Sequence, residues 1–441
     1  MRKLLFVVTL IFCHHVRAQD STARFADVPA IRLYNHLLYN NTSPTLNSIF
    51  NQELKPGVIN SFTLDFDYSN NSNAVPALFA FDLLFKGNIS DALKDRVDNR
   101  IKNKLRFQDN LTTGATYQHY LKKWDGTIFF SVDQRQMRDI SGYKQTYELL
   151  FYGNARFEGD SANLSHIRFQ NFIYNQYTAG IKKVVDYGRF QMQFGVGLSF
   201  LQVVNNEDIR TGNNSSLYTA PYGEYLDIDY SLDYNAARES ATNLSQLNGF
   251  GVSGNFNLAI MNNDKWKLSF DVSDLGSITM ANQPVNYVGT NKIRFQGIGL
   301  PNLTSFSSQT FDTLNLDSAV RSNLPKRTNN QYSVSLPYNA MLVFSKPLMH
   351  DRLVLNIGLQ HLNVPGYNVY GYVKVNYFLR PDVVISGSVG AGGYTLCNLG
   401  FDFAKVWKNF EISAGSGNLL GLVLPAYYTG TGLYVRVAGY F

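Results

Sequence analysis

Past residue 100 the histidines are His119, His166, His350 and His361, and none has a serine, cysteine or aspartate at a spacing that would assemble a nucleophile and its base. The chain has no phosphate-binding glycine loop, no HExxH and no GxSxG. Its two cysteines, Cys13 and Cys397, offer no zinc-binding spacing. No catalytic residue, metal site or cofactor is therefore expected, and the chain does not read as an enzyme. The chemistry that remains belongs to polar side chains recurring at every second position. These are Asp65 and Asp67, Gln191 and Gln193, Asn255, Lys267 and Asp271, Lys374 and Asn376, and Arg436. Their signs are mixed, which suits a hydrated interior better than a strongly ion-selective pore.

The elements that must position them are strands. Phe62, Leu64, Phe66 and Tyr68 interleave with Thr63, Asp65, Asp67 and Ser69. Phe190, Met192, Phe194, Val196, Leu198 and Phe200 interleave with Gln191, Gln193, glycines and Ser199. The same period recurs through 250–260, 266–273, 353–359 and 373–379. Side chains alternate faces along a strand, so each segment has one apolar and one polar face.

Alternation also fits a soluble sandwich. Several of these segments, however, run about ten residues, the length that crosses a bilayer at a tilt, against five or six for a typical sandwich strand. Composition points the same way. Of the 441 residues 45% are hydrophobic and only 16% charged, with 28 Tyr, 31 Phe and 34 Gly, and a soluble domain averages about 25% charged. Beyond the first 20 residues no apolar run reaches the roughly 18 residues of a spanning helix. The expectation is an all-β, transmembrane antiparallel barrel of about 14 strands.

Turn lengths orient it. Short polar turns at 122–126, 262–264, 380–382 and 405–409, with slightly longer ones at 182–189 and 345–352, fall on one side. The long connections, roughly 138–172, 204–249, 275–330 and 417–431, fall mostly on the other, which bacterial barrels turn outward as extracellular loops. Within 204–249 a second alternation, Leu226 to Tyr234, predicts an outer hairpin above the membrane.

Residues 1–18 read as a signal peptide: Arg2 and Lys3, an apolar stretch from Leu4 to Cys13, and a small-residue site ending at Ala18. Its removal takes Arg2, Lys3 and Arg17, halving the formal charge of +6. No basic patch for nucleic acid is left. Residues 19–58 read either as an N-terminal periplasmic arm or as a hatch entering the lumen, and 59–441 as the outer-membrane barrel. Ile89, Leu93, Val97, Ile101 and Leu105 form an amphipathic helical stripe, read as packing on a loop or rim in preference to a plug.

Several of these segments resemble an uncharacterised family of Bacteroidota outer-membrane barrels, grouped with FadL-like transporters and the PorV and PorP/SprF barrels of type IX secretion. The resemblance lies in Leu149–Gly159 (LLFYGNARFEG), Tyr177–Leu201, Phe270–Ile278 (FDVSDLGSI), Phe295–Ile298 and Ser335–Ala340. The Asp274–Gly276 step is its most specific part. It implies a FadL-like barrel in the cell outer membrane that passes a small apolar or amphiphilic molecule. The alternative is a barrel that docks with type IX secretion or gliding machinery. The implied partners are outer-membrane lipid, the barrel assembly machinery, and a hydrophobic small molecule or secretion-system proteins. Phe441 is the terminal aromatic of an insertion signal, while Gly439 departs from that pattern.

Overall fold

The computed structural model describes residues 59–237, 247–262, 266–295, 325, 327–349, 352–364 and 366–441. Residues 1–58, which carry the signal and the arm or hatch, lie outside the described residues, as does His350.

Fourteen antiparallel strands form the wall. They are β1 (Asn60–Ser72), β2 (Lys104–Leu121), β3 (Gly126–Tyr143), β5 (Arg168–Tyr187), β6 (Phe190–Thr211), β9 (Gly249–Asn262) and β10 (Trp266–Met280). They continue through β14 (Asn339–Leu348), β15 (Leu353–Leu362), β16 (Asn368–Arg380), β17 (Val383–Gly393), β18 (Thr395–Val406), β19 (Phe410–Ser416) and β20 (Thr431–Tyr440). Each wall strand pairs with the next, and β1 closes on β20 from Ser61–Tyr440 to Asn70–Thr431. Closure matters physically because an unpaired backbone edge in hydrocarbon costs several kcal/mol per group.

The two faces differ as the period-two pattern requires. Phe62, Phe66, Phe194, Val196, Leu198, Phe256 and Phe270 stand exposed on the outside, while Ser61, Thr63, Gln193, Ser199, Asn257 and Ser269 are buried on the inside. Trp124, Trp266 and Trp407, the only three tryptophans, all sit at short turns. Trp266 packs between Phe190 and Phe344, and Trp407 packs on Phe410. Indole rings prefer the headgroup level, so this end marks one membrane interface.

At the other end the structure departs from the loop reading. β2 and β3 run 18 residues, β5 runs 20 and β6 runs 22, whereas about ten suffice to cross. The surplus carries the ladder beyond the bilayer, so much of 138–172, 204–236 and 275–295 is strand. The segment at 226–234 is indeed a strand, β8 (Leu226–Ala236), and its antiparallel partners within 204–249 make the expected hairpin. It pairs along its whole length with β11 (Val285–Phe295), a strand from the next connection, and at its ends with β6 and β7 (Ser216–Thr219). Cross-strand pairs Arg294–Asp227 and Lys292–Asp229, each 2.7 Å, fix that register. Short β4 (Asp160–Asn163), β12 (Arg327–Thr328) and β13 (Tyr332–Ser335) complete this extension.

The amphipathic stripe forms part of a helical cap. Helix α1 (Ala77–Phe81) precedes α2 (Asp91–Arg100), and α3 (Lys144–Tyr152) follows β3. Leu93 and Val97 of α2, with Ile89 and Ile101, are buried against Ala74, Phe79 and Tyr147. The helix ends at Ile101, whose backbone is extended, so Leu105 joins the cluster from β2. Arg96 donates to the Ala426 carbonyl at 2.6 Å and Arg100 to that of Tyr427 at 2.7 Å, tying the cap to the loop before β20.

Leu198, on the outer wall, and Leu150, on α3, are 71% and 74% exposed. Leu198→Arg is expected to cost about 2–4 kcal/mol of folding stability in liposomes, because its site is lipid, and Leu150→Arg about 0 kcal/mol, because its site is water. Equal costs in denaturant titrations would contradict a lipid-solvated wall.

Candidate functional site

The inner face is organised around a break in β10. Its pairing with β9 slips between Val272 and Leu275, and Asp274 there adopts a left-handed backbone with φ 64°. A bulge adds one residue and reverses the inside–outside order. Lys267, Ser269 and Asp271 are buried before it, Asp274, Ile278 and Met280 after it. This is the DLG step that carries the sequence resemblance.

Asp274 is held from three sides. Its main-chain N–H donates to Asn255 Oδ1 (3.0 Å), its Oδ1 accepts from Gln176 Nε2 (2.9 Å), and its Oδ2 accepts from Arg135 Nη1 (2.6 Å). Asn255 and Gln176 both donate to Ser199 Oγ. Arg135 lies on β3 and Asp274 on β10, with β5, β6 and β9 between them, so the ion pair reaches across the lumen instead of along the wall.

The residues singled out from sequence fall in and below this network. Arg436 donates to Asp65 at 2.5 Å. Lys374 pairs with Asp402 at 2.6 Å, and Asp402 also accepts from Tyr434 at 2.7 Å. Gln193 donates to Asn257, which donates to Asp271. Asp67, Lys267 and Asn376 are buried, and Gln191 is half-buried near the short-turn end of β6. Sequence reasoning passed over Asp133, Arg135, Gln176, Asp274 and Asp402. Around Arg135 the sequence DQRQMRD is polar at both parities, so no alternation was visible, and the bulge hid the parity of Asp274. Gln176 and Thr178 could have been found, since they alternate with Tyr177 and Ala179.

The described histidines, His119, His166 and His361, lie apart from this site. His119 Nδ1 is 2.7 Å from Asn60 Oδ1, and Tyr117 donates to the same oxygen, at the short-turn end of β1 and β2. His166 packs edge-on to Tyr143 and His361 to Tyr338. Among the described residues no three metal-binding side chains cluster.

The Asp274 network lines a lumen cavity of about 320 Å³. It runs from Asp65 and Arg436 toward Asn71 and Tyr394 at the long-loop end. Tyr394, in the turn between β17 and β18, donates to Asp139 on β3 at 2.5 Å. Burial first, and then the Asp139 carboxylate, hold its phenol protonated well above the usual range.

The cavity also reaches the wall at an interruption. β19 has 7 residues. At about 3.4 Å per residue and a tilt near 40°, such a strand spans only about 18 Å of a ~25 Å apolar band. β18 pairs with β19 only over Phe401–Val406, and β20 only over Tyr434–Gly439. Between the upper halves of β18 and β20 stand Gly417, Asn418 and the short helix α4 (Leu419–Val423). Asn418 donates to the Thr429 carbonyl, and Leu422 and Val423 are exposed on the outside. Asn398, Gly417, Asn418, Thr431 and Leu433 line the cavity at this point.

The family model that matches residues 50–416 is that of a family of unknown function, DUF5723. The chain belongs to this family. No curated protein matches it. Among solved structures it is similar to the toluene transporter TodX of Pseudomonas putida, at 9% identity and a TM-score of 0.45, over 91% of this chain and 96% of that one. It is also similar to a Pseudomonas aeruginosa FadL homologue, at 11% identity and a TM-score of 0.41, over 87% and 90% of the two chains. No activity is established for the DUF5723 family, so this site has to be read from its own geometry.

Asp274→Ala leaves the half-buried Arg135 facing the lumen without its carboxylate, and losing a charged hydrogen-bond partner costs about 1–3 kcal/mol. Adding Arg135→Met is expected to restore part of that loss in denaturant titrations. A double variant no more stable than Asp274→Ala would contradict the coupling.

Proposed function

We propose that this member of the DUF5723 family is an outer-membrane barrel that passes a small amphiphilic molecule between its lumen and the surrounding lipid. The observation that carries this reading is the meeting of a polar cavity with a wall interruption at one place, beside Gly417 and Asn418. A polar headgroup fits the cavity, and an apolar tail fits the lipid-facing side of the break, where Leu422, Val423 and Leu433 stand exposed. The lining mixes carboxylates and amides with Met137, Met341, Leu362 and tyrosine rings, which suits a cargo with both kinds of surface. Export through the signal at residues 1–18 and insertion by the assembly machinery belong to the same proposal. A second reading, docking to type IX secretion or gliding machinery, draws on the β8–β11 ribbon, a paired extension beyond the membrane with room for protein contacts.

A Cβ placed on Gly417 meets nothing within 4 Å, so a side chain can start there, beside the break, without displacing backbone. Gly417→Trp is expected to slow entry of a fluorescent C8 amphiphile into intact Gram-negative cells about tenfold, at unchanged surface level. By transition-state arithmetic that corresponds to about 1.4 kcal/mol. An unchanged rate would contradict passage at this place.

A further inference from the structure

The lining of the cavity specifies the chemistry of what it holds. Its ionisable groups are five aspartates (65, 67, 133, 271 and 274) against two arginines (135 and 436). Both arginines already bind carboxylates of the chain, Arg135 that of Asp274 and Arg436 that of Asp65. An anionic headgroup would enter a site of excess negative charge with its cations taken, which a low-dielectric lumen penalises.

The uncharged groups point further. Gln108, Gln176, Asn418 and Thr431 line the cavity and are 1%, 1%, 4% and 2% exposed. Gln108 Nε2, Gln176 Oε1, Asn418 Oδ1 and Thr431 Oγ1 have no hydrogen-bond partner among the described residues. Buried polar atoms are nearly always satisfied, and each one left unpaired costs roughly 1–3 kcal/mol. One of the four is a donor, two are acceptors and one is both. A cation satisfies acceptors only and leaves the Gln108 amide unpaired. A hydroxyl donates and accepts at once, so a polyhydroxylated group matches the mixture of donors and acceptors on this lining.

The aromatic lining agrees. Tyr394 and Tyr434 spend their hydroxyls on Asp139 and Asp402. Their rings, with those of Tyr174, Tyr367 and Tyr370, give apolar surface beside the polar side chains, a combination that suits the C–H face of a sugar.

We infer that the cavity is a binding site for an uncharged polyhydroxylated group, a glycosyl headgroup. This rests on the reading that an amphiphile occupies the lumen, and it names that amphiphile's polar end.

The test uses the full chain in nanodiscs with three soluble headgroup probes: methyl glucoside, acetate and methylammonium, titrated by saturation-transfer NMR. Methyl glucoside is expected to bind saturably and more tightly than the other two. Gln108→Leu and Thr431→Val are expected to weaken it about threefold or more each, the loss of one neutral hydrogen bond. Heat-modifiable gel migration reports folding. If Gln108→Leu does not fold, the nearly isosteric Thr431→Val carries the test. Tighter binding of acetate or methylammonium, or full affinity in the folded variants, overturns the inference. The two readings fail separately. If methyl glucoside does not bind but Gly417→Trp slows C8 entry, the headgroup assignment is wrong and passage stands. If methyl glucoside binds as expected but Gly417→Trp changes nothing, passage is wrong and the site stands.

Discussion

In hydrocarbon no water is present to satisfy a backbone N–H or C=O, and this constraint shapes the whole molecule. It requires the ladder to close, and β1 meets β20 along ten residue pairs to close it. It sorts the side chains, since a wall with lipid outside and polar groups within must alternate. It also explains how the one break can exist. Where β19 stops at Ser416, the chain turns into α4, a short helix that begins pairing its backbone internally, and Asn418 takes up the Thr429 carbonyl. Gly421 allows α4 to press against Gly430, since a Cβ there would lie 1.8 Å from the Gly430 oxygen.

The polar interior is a second consequence. Inward groups are shielded from bulk water, so each needs a partner, and the lower lumen supplies them within the protein: Lys374 with Asp402, Gln193 with Asn257, Tyr440 with Glu411. Higher up, the Arg135–Asp274 pair ties β3 to β10 across the lumen and forms part of the cavity lining. Around the cavity Gln108, Gln176, Asn418 and Thr431 keep polar atoms unpaired among the described residues, as Gln118, Asn376 and Ser413 do elsewhere on the inner face.

Much of the barrel was legible in the sequence because its signal is local. Phe62 through Ser69, or Phe190 through Phe200, show their two faces without reference to any other segment. The fourteen-strand wall followed from such segments and their turns. What was not legible depended on distant partners or on irregularity. The extensions of β3, β5 and β6 lie beyond the lipid, where outward residues such as Gln134 need not be apolar, so the alternation that marks a strand vanishes. The Asp274 bulge inverts parity by one residue and so conceals the best-connected side chain of the site. The pairing of β8 with β11 joins two separate connections, and neither sequence alone predicts the other. The short length of β19 was visible only against its neighbours.

The most direct test of the central claim, a sealed barrel broken at one place beside a polar cavity, is photolabelling with a diazirine carried on a lipid chain, read by mass spectrometry. Outward residues such as Leu198, Phe256 and Phe401 are predicted to be labelled around the whole wall. Among inward residues only those beside the break, Asn398, Asn418 and Thr431, are predicted to carry adducts, with Gln193 and Asn257 unlabelled. Absence of label from all three inward residues at the break, or label on inward residues all around the wall, would contradict the account.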